Sequence, residues 1–94
     1  MIRMFVRHPV ADFATWKQAY DDFDAFRKES GVVGHAVSQE LNDPNRVVVY
    51  HQAEQMDALQ RLVASSELRD VMQSAGVVGK PEFHFFNSVE SVQY

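Results

Sequence analysis

Two apolar runs, Val32-Val33-Gly34-His35-Ala36-Val37-Ser38-Gln39-Glu40-Leu41 and Arg46-Val47-Val48-Val49-Tyr50-His51-Gln52-Ala53, stand on either side of Asn42-Asp43-Pro44-Asn45. Proline after aspartate presets the backbone of a turn, and asparagine tolerates unusual dihedrals, so the stretch reads as a β-hairpin. A hairpin in the middle of a short chain fixes the layout once its flanks are read.

Upstream, Ile2 to His8 is rich in β-branched and aromatic residues and ends at Pro9, the signature of a strand. Asp12 is placed to cap a helix running to about Glu29, because its carboxylate can accept the unpaired amides of the first turn. Phe13, Trp16, Tyr20, Phe23 and Arg27 follow helical spacing, while Lys17, Asp21, Asp22, Asp24 and Lys28 take the other side. Gly31 supplies the exit. Downstream, a second helical stretch begins near Glu54 with Met56, Leu59, Leu62 and Val63. It pauses at Ser65-Ser66, where a hydroxyl can cap a further piece carrying Leu68, Val71 and Met72. Gly76 ends it, and Glu82 to about Val89 is a last strand. The order is strand, helix, strand, strand, helix, strand. This is an α+β chain with a ferredoxin-like βαββαβ layout and a four-stranded antiparallel sheet, one domain over 1–94. The expected strand order is 4-1-3-2, with the first and third strands parallel.

A chain of 94 residues buries only roughly 60–65% of its unfolded surface. With no cysteine, neither a disulfide framework nor a thiolate metal site supplements that core. The net charge of −4 and the absence of a Lys/Arg cluster argue against nucleic acid as a partner. No run approaches the length of a membrane span, and the apolar N-terminus lacks the parts of a signal peptide, so a cytoplasmic protein is expected.

The strands do not alternate cleanly. Ile2, Met4 and Val6 oppose Phe5; Val47 and Val49 oppose Val48 and Tyr50; Phe83 and Phe85 oppose His84 and Phe86. Both faces of the sheet are semi-apolar, yet crossovers of one hand put both helical stretches on the same face. A second copy of the sheet, related by two-fold symmetry, is the expected cover for the other, giving a homodimer.

Arg7-His8-Pro9-Val10-Ala11-Asp12-Phe13-Ala14-Thr15-Trp16 resembles the RH-x-V-x-D-[YF]-x-x-W opening of small dimeric α/β-barrel proteins, the antibiotic-biosynthesis-monooxygenase-like and polyketide-cyclase-like group. Asp43-Pro44-Asn45 matches their hairpin turn. Ser66-Glu67-Leu68-Arg69, Met72 and Ala75-Gly76-Val77-Val78-Gly79-Lys80-Pro81-Glu82 match their C-terminal half. The resemblance implies a dimeric α/β barrel and a superfamily containing cofactor-free oxygenases, cyclases, isomerases and haem-handling proteins. Haem-degrading members use an Asn, a Trp and a His in set places. The single tryptophan here lies in the first helix, and no such arrangement matches.

All four histidines, His8, His35, His51 and His84, fall on expected strands, and the assumed strand directions gather them at one end of the sheet. A four-residue turn at 43–46 sets His51 opposite Ser38 and sends His35 to the other face; a one-residue slip brings His35 and His51 together. Three readings follow. The histidines are half-buried strand residues, or acid/base groups beside an apolar pocket, or ligands of a transition metal. No H-E-x-x-H or similar close-spaced pair favours the last.

Taken with the resemblance, the acid/base reading gives a small cofactor-independent enzyme, oxygenase- or cyclase-like, acting on an aromatic or polyketide-like small molecule. His8, His51 and His84 are its candidate catalytic residues; Trp16, Tyr20, Phe23 and Tyr50 are candidates for binding substrate. Arg7 and Arg27 can hold a substrate carboxylate or phenolate, lie on the solvated surface, or form an ion pair with the acidic helix. The alternative is a non-catalytic homodimeric binding or accessory protein, and a stripe such as Trp16-Tyr20-Phe23 is then simply core.

Overall fold

A computed structural model describes all 94 residues. The elements are β1 (Ile2–Pro9), α1 (Phe13–Asp22), α2 (Asp24–Ser30), β2 (Val32–Glu40), β3 (Asp43–Ala53), α3 (Met56–Ala64), α4 (Ser66–Ser74) and β4 (Glu82–Asn87). The sheet order is β2-β3-β1-β4, as expected, and every neighbouring pair is antiparallel. The expected parallel pairing of the first and third strands is therefore corrected. A helical crossover returns β2 parallel to β1, and the hairpin then reverses β3.

Each helical stretch is divided in two. Asp12 caps α1, its Oδ2 accepting the Thr15 amide at 3.0 Å. The expected single helix to Glu29 breaks at Phe23. Asp21 and Asp22 lie at the C-terminal end of α1, where the helix dipole disfavours carboxylates, whereas Asp24 sits favourably in the first turn of α2. Ser65 separates α3 from α4 and caps the latter by accepting the Leu68 amide at 3.1 Å.

The hairpin turn is also corrected. It falls at Leu41-Asn42, and Asp43-Pro44-Asn45 forms an irregular start to β3. Asp43 Oδ1 accepts the Asn45 amide at 3.0 Å, Asn45 Oδ1 accepts the Phe13 amide at 3.0 Å, and the Asn45 carbonyl accepts the Val10 amide at 2.8 Å. Those bonds tie the segment to the β1–α1 junction and leave it unable to serve as the turn tip. Proline is tolerated there because the ladder is already broken.

Met4, Val6, Val47, Val49 and Ala53 point from the sheet into the helical layer, where Trp16, Leu59 and Leu62 meet them. Complete burial of side chains such as Met4, Leu59 and Leu62 stabilises the fold by roughly 1.5–3 kcal/mol each. The opposite face is bare, as its mixed pattern foretold. Phe5 packs edge-on against Tyr50 and Phe86, both with ring centroids at 5.3 Å, and Arg3 lies over the Tyr50 ring at 5.1 Å. Phe86 remains 51% exposed. No helix is long and apolar enough to cross a membrane.

Candidate functional site

The antiparallel register decides where the histidines go. His8 pairs with Val47, His51 with both Met4 and His35, and His84 with Phe5. His35, His51 and His84 therefore lie level with one another near the start of β1. His8 is four residues further along, roughly 13 Å away. The expectation that all four share one end of the sheet is corrected, because it rested on a parallel β1–β3 pair. His51 also does not face Ser38: the tighter turn sets it opposite His35.

Strand alternation then assigns faces. His8, His35 and His51 point toward the helices; His84 points to the bare face, beside Phe86 with ring centroids at 6.5 Å. Tyr50, expected to bind substrate, shares that bare face, where its hydroxyl donates to Gln52 Oε1 at 2.7 Å. Of the seven candidates, His8, His51, Trp16, Tyr20 and Phe23 are brought together, and His84 and Tyr50 are not.

The five converge on a cavity of about 40 Å³ between the sheet and the helices. Met4, Val6 and Val49 form its floor, and Leu68, Val71 and Met72 of α4 help to roof it. Twelve of its fifteen lining residues are hydrophobic; the others are His8, Arg27 and His51. Helical spacing of four stacks Trp16 on Tyr20 with ring centroids at 5.0 Å. His8 lies 5.5 Å from Trp16, and His51 6.4 Å from Tyr20, between ring centroids. The rings line one wall.

The polar groups in this wall are under-satisfied. His8 Nδ1, His51 Nδ1 and Arg27 Nε are buried without a hydrogen-bond partner. Such atoms cost free energy unless something meets them, which is how a polar ligand group is selected. Arg27 is only 3% exposed, so the sequence reading that placed it on the solvated surface is corrected, although its pairing with the acidic helix holds. Its guanidinium lies 3.7 Å from the Tyr20 ring centroid and donates to Asp24 Oδ1 at 3.3 Å. The ring face and the carboxylate together make a buried cation tolerable. Arg7 is exposed and donates to Glu40 at 2.7 Å.

Burial, reinforced by the positive charge of Arg27 and by His35, brings His51 down to about 4, so it is neutral at pH 7. His8 is lowered as well, chiefly by burial, with the Pro9 backbone opposing the shift. Burial pushes the Tyr20 phenol up to about 12, so it stays protonated. The cavity thus holds neutral imidazole beside fixed positive charge, a combination that can take a proton from an acidic group and stabilise the anion left behind. No group of three or more His, Cys, Asp or Glu side chains is arranged to hold a metal ion.

Solved structures share this architecture. The chain superposes on SnoaB, a cofactor-independent oxygenase from Streptomyces nogalater, with a TM-score of 0.80 at 18% identity, covering 99% of this chain and 97% of that one. A monooxygenase from the gene ActVA-Orf6 of Streptomyces coelicolor, in complex with the ligand Nanaomycin D, gives a TM-score of 0.74 at 20% identity, with 99% and 91% covered. An antibiotic biosynthesis monooxygenase gives 0.76 at 13% identity, with 96% and 100% covered. Neither a protein-family model nor a curated protein sequence matches the chain. At these identities the likeness establishes the fold, and it is the ferredoxin-like fold that the resemblance implied.

Proposed function

We propose that this protein is a small cofactor-independent enzyme, working as a homodimer, that binds a flat aromatic or polyketide-like molecule in the helix-covered cavity. The carrying observation is that its apolar, ring-lined wall contains three buried polar atoms without partners, on His8, Arg27 and His51. In this reading neutral His51 removes a proton from an acidic O–H or C–H of the ligand, and Arg27 holds the resulting phenolate or enolate. Such an electron-rich anion is the form that either reacts with dioxygen or attacks a carbonyl within the same molecule. His8 is a second acid/base group at the far end of the ring wall. The fold shared with a cofactor-independent oxygenase supports the class of chemistry.

Dimerisation through the bare face is supported by the Phe5-Tyr50-Phe86 cluster and by Val89, Val92 and Tyr94, all strongly exposed on the segment after β4. A second sheet closing over that face leaves His84 and Tyr50 at the subunit interface and away from the cavity.

The test is binding and turnover of hydroxynaphthoquinones and anthrones, read by fluorescence quenching and an oxygen electrode. Binding that weakens in Arg27→Met, with turnover lost in His51→Gln, is expected. A panel that never binds the wild-type protein overturns the reading. One observation favours the second reading, a non-catalytic dimeric accessory protein: about 40 Å³ has room for about three waters, whereas drug-sized ligands occupy about 300 Å³ or more. An enzyme of the proposed kind must therefore displace its roof.

A further inference from the structure

The polar wall of the cavity continues outward through Tyr20. The Tyr20 side chain is buried and lines the cavity, and its hydroxyl lies 3.0 Å from His35 Nδ1. On the far side of the same ring, His35 Nε2 lies 3.5 Å from Asp24 Oδ1. His35 and Asp24 have side-chain exposures of 38% and 36%, so the series begins inside the protein and ends in solvent.

We propose that Tyr20, His35 and Asp24 form a proton conduit between the cavity and solvent, with Tyr20 as the inner group that passes a proton to the ligand anion or receives the one His51 has removed. The carboxylate of Asp24 draws the Nε2–H of neutral His35, leaving Nδ1 to accept the Tyr20 hydroxyl. In the other neutral tautomer Nδ1–H donates to the Tyr20 oxygen, that bond reverses, and Nε2 offers its lone pair toward Asp24 and solvent. The phenol hydrogen then turns into the cavity. Delivery to a ligand anion breaks the Tyr20 O–H bond as the Nδ1 proton forms a new one and Nε2 takes a proton from water, so Tyr20 ends neutral and His35 ends in its Nε2–H form. The reverse sequence exports the proton abstracted from the ligand.

The charges around His35 suit this cycle. Asp24 of α2 faces His35, His51 lies across the ladder from it, and Arg27 and Lys28 share the Asp24 carboxylate, with Lys28 Nζ 3.1 Å from Oδ2. Tyr20 remains a donor through the whole neutral range because burial holds its phenol near 12.

The conduit gives the cavity's proton chemistry an outlet and rests on that reading, but its test uses the ligand-free protein. Ring-nitrogen NMR is expected to show His35 as the Nε2–H tautomer at neutral pH, with the Nδ1–H tautomer gaining in Asp24→Asn. His35→Gln keeps a hydrogen-bond acceptor for Tyr20 yet cannot pass a proton. It is expected to slow exchange of the Tyr20 hydroxyl proton with water by about tenfold or more. Exchange at the wild-type rate in His35→Gln overturns the conduit, as does a His35 tautomer balance indifferent to both Asp24→Asn and Tyr20→Phe. An intact conduit in a protein that binds no aromatic ligand overturns the enzyme reading alone.

Discussion

His35 and His51 are direct cross-strand partners on the helix-covered face, one joined to solvent and the other sealed inside. Two neighbouring imidazoles are thereby divided: His51 is held neutral by burial, and His35 keeps its contact with solvent. Stability is one place where that division can be measured.

In the unfolded chain His51 titrates near 6.5, and in the fold near 4. Between those values the unfolded state binds a proton that the folded state refuses, so stability falls as pH drops through this window and is regained above it. The loss is on the order of 3 kcal/mol for a depression of that size. Buried His8 acts in the same direction. Urea titrations at pH 7, 5.5 and 4 are expected to show the decline, and His51→Leu to flatten most of it. A wild-type slope in that variant counts against the burial argument.

Arg27→Met removes the cation that helps to hold His51 down. The His51 pKa is expected to rise in the variant, observable by NMR titration. Stability is expected to change by less than about 1 kcal/mol, because losing the pairing is offset by no longer burying a charge. An unmoved His51 titration shows that desolvation alone sets its value.

Gly31 ends α2 with φ of 107°, and a Cβ placed on it would come within 2.9 Å of the Ala58 Cβ. Gly31→Ala is therefore penalised twice, by a left-handed backbone and by contact between α2 and α3. It is expected to cost more than about 1 kcal/mol and to lower the Tm by roughly 5 °C. A neutral effect in a thermal melt would mean that the two helices part easily.

Phe86→Lys places a charge on the bare face, on the edge strand β4, without touching the cavity. Sedimentation velocity is expected to find the wild-type protein dimeric and the variant's dissociation constant raised at least about 100-fold. A monomeric wild-type protein at tens of micromolar would remove the proposed interface.

How far the sequence carried these conclusions depended on the signal in each segment. Element order, Asp12 as a cap, a second cap at Ser65 or Ser66, and the two-faced pattern of the strands were legible because each is local. The stripe Trp16-Tyr20-Phe23-Arg27 was legible as a face, but its meaning was not. Arg27 looked like surface, since no pattern says that a ring will lie under it and a carboxylate beside it. The histidine geometry failed for two reasons: the first and third strands were expected to be parallel and are antiparallel, and Asp43-Pro44-Asn45 reads as a turn tip, whereas bonds joining Asn45 to Phe13 and Val10, 32 and 35 residues away, hold it elsewhere. Register is a long-range property, and a shifted turn moves His35 across the sheet. Asp24 and His35 were missed as partners for the same reason. Once a correct β2–β3 register is assumed, His35 opposite His51 is the signal that would have found them.

The roof of the cavity has one more consequence. No residue of α4 is fully buried, although Leu68, Val71 and Met72 close the space over His8 and His51. The helix is capped by Ser65, and its C-terminal end is secured by Val77 and Val78 to Met72 and Pro9. It is thus hinged at its ends and lightly held between them, so its amides should exchange with deuterium well before those of β1 and β3. Every ligand larger than a few waters must then wait for, or induce, the open form. Its observed affinity is the intrinsic affinity reduced by the fraction of molecules that are open. Substitutions on α4 that touch no ligand would tune binding strength by altering that fraction, leaving the chemistry at His51 unchanged.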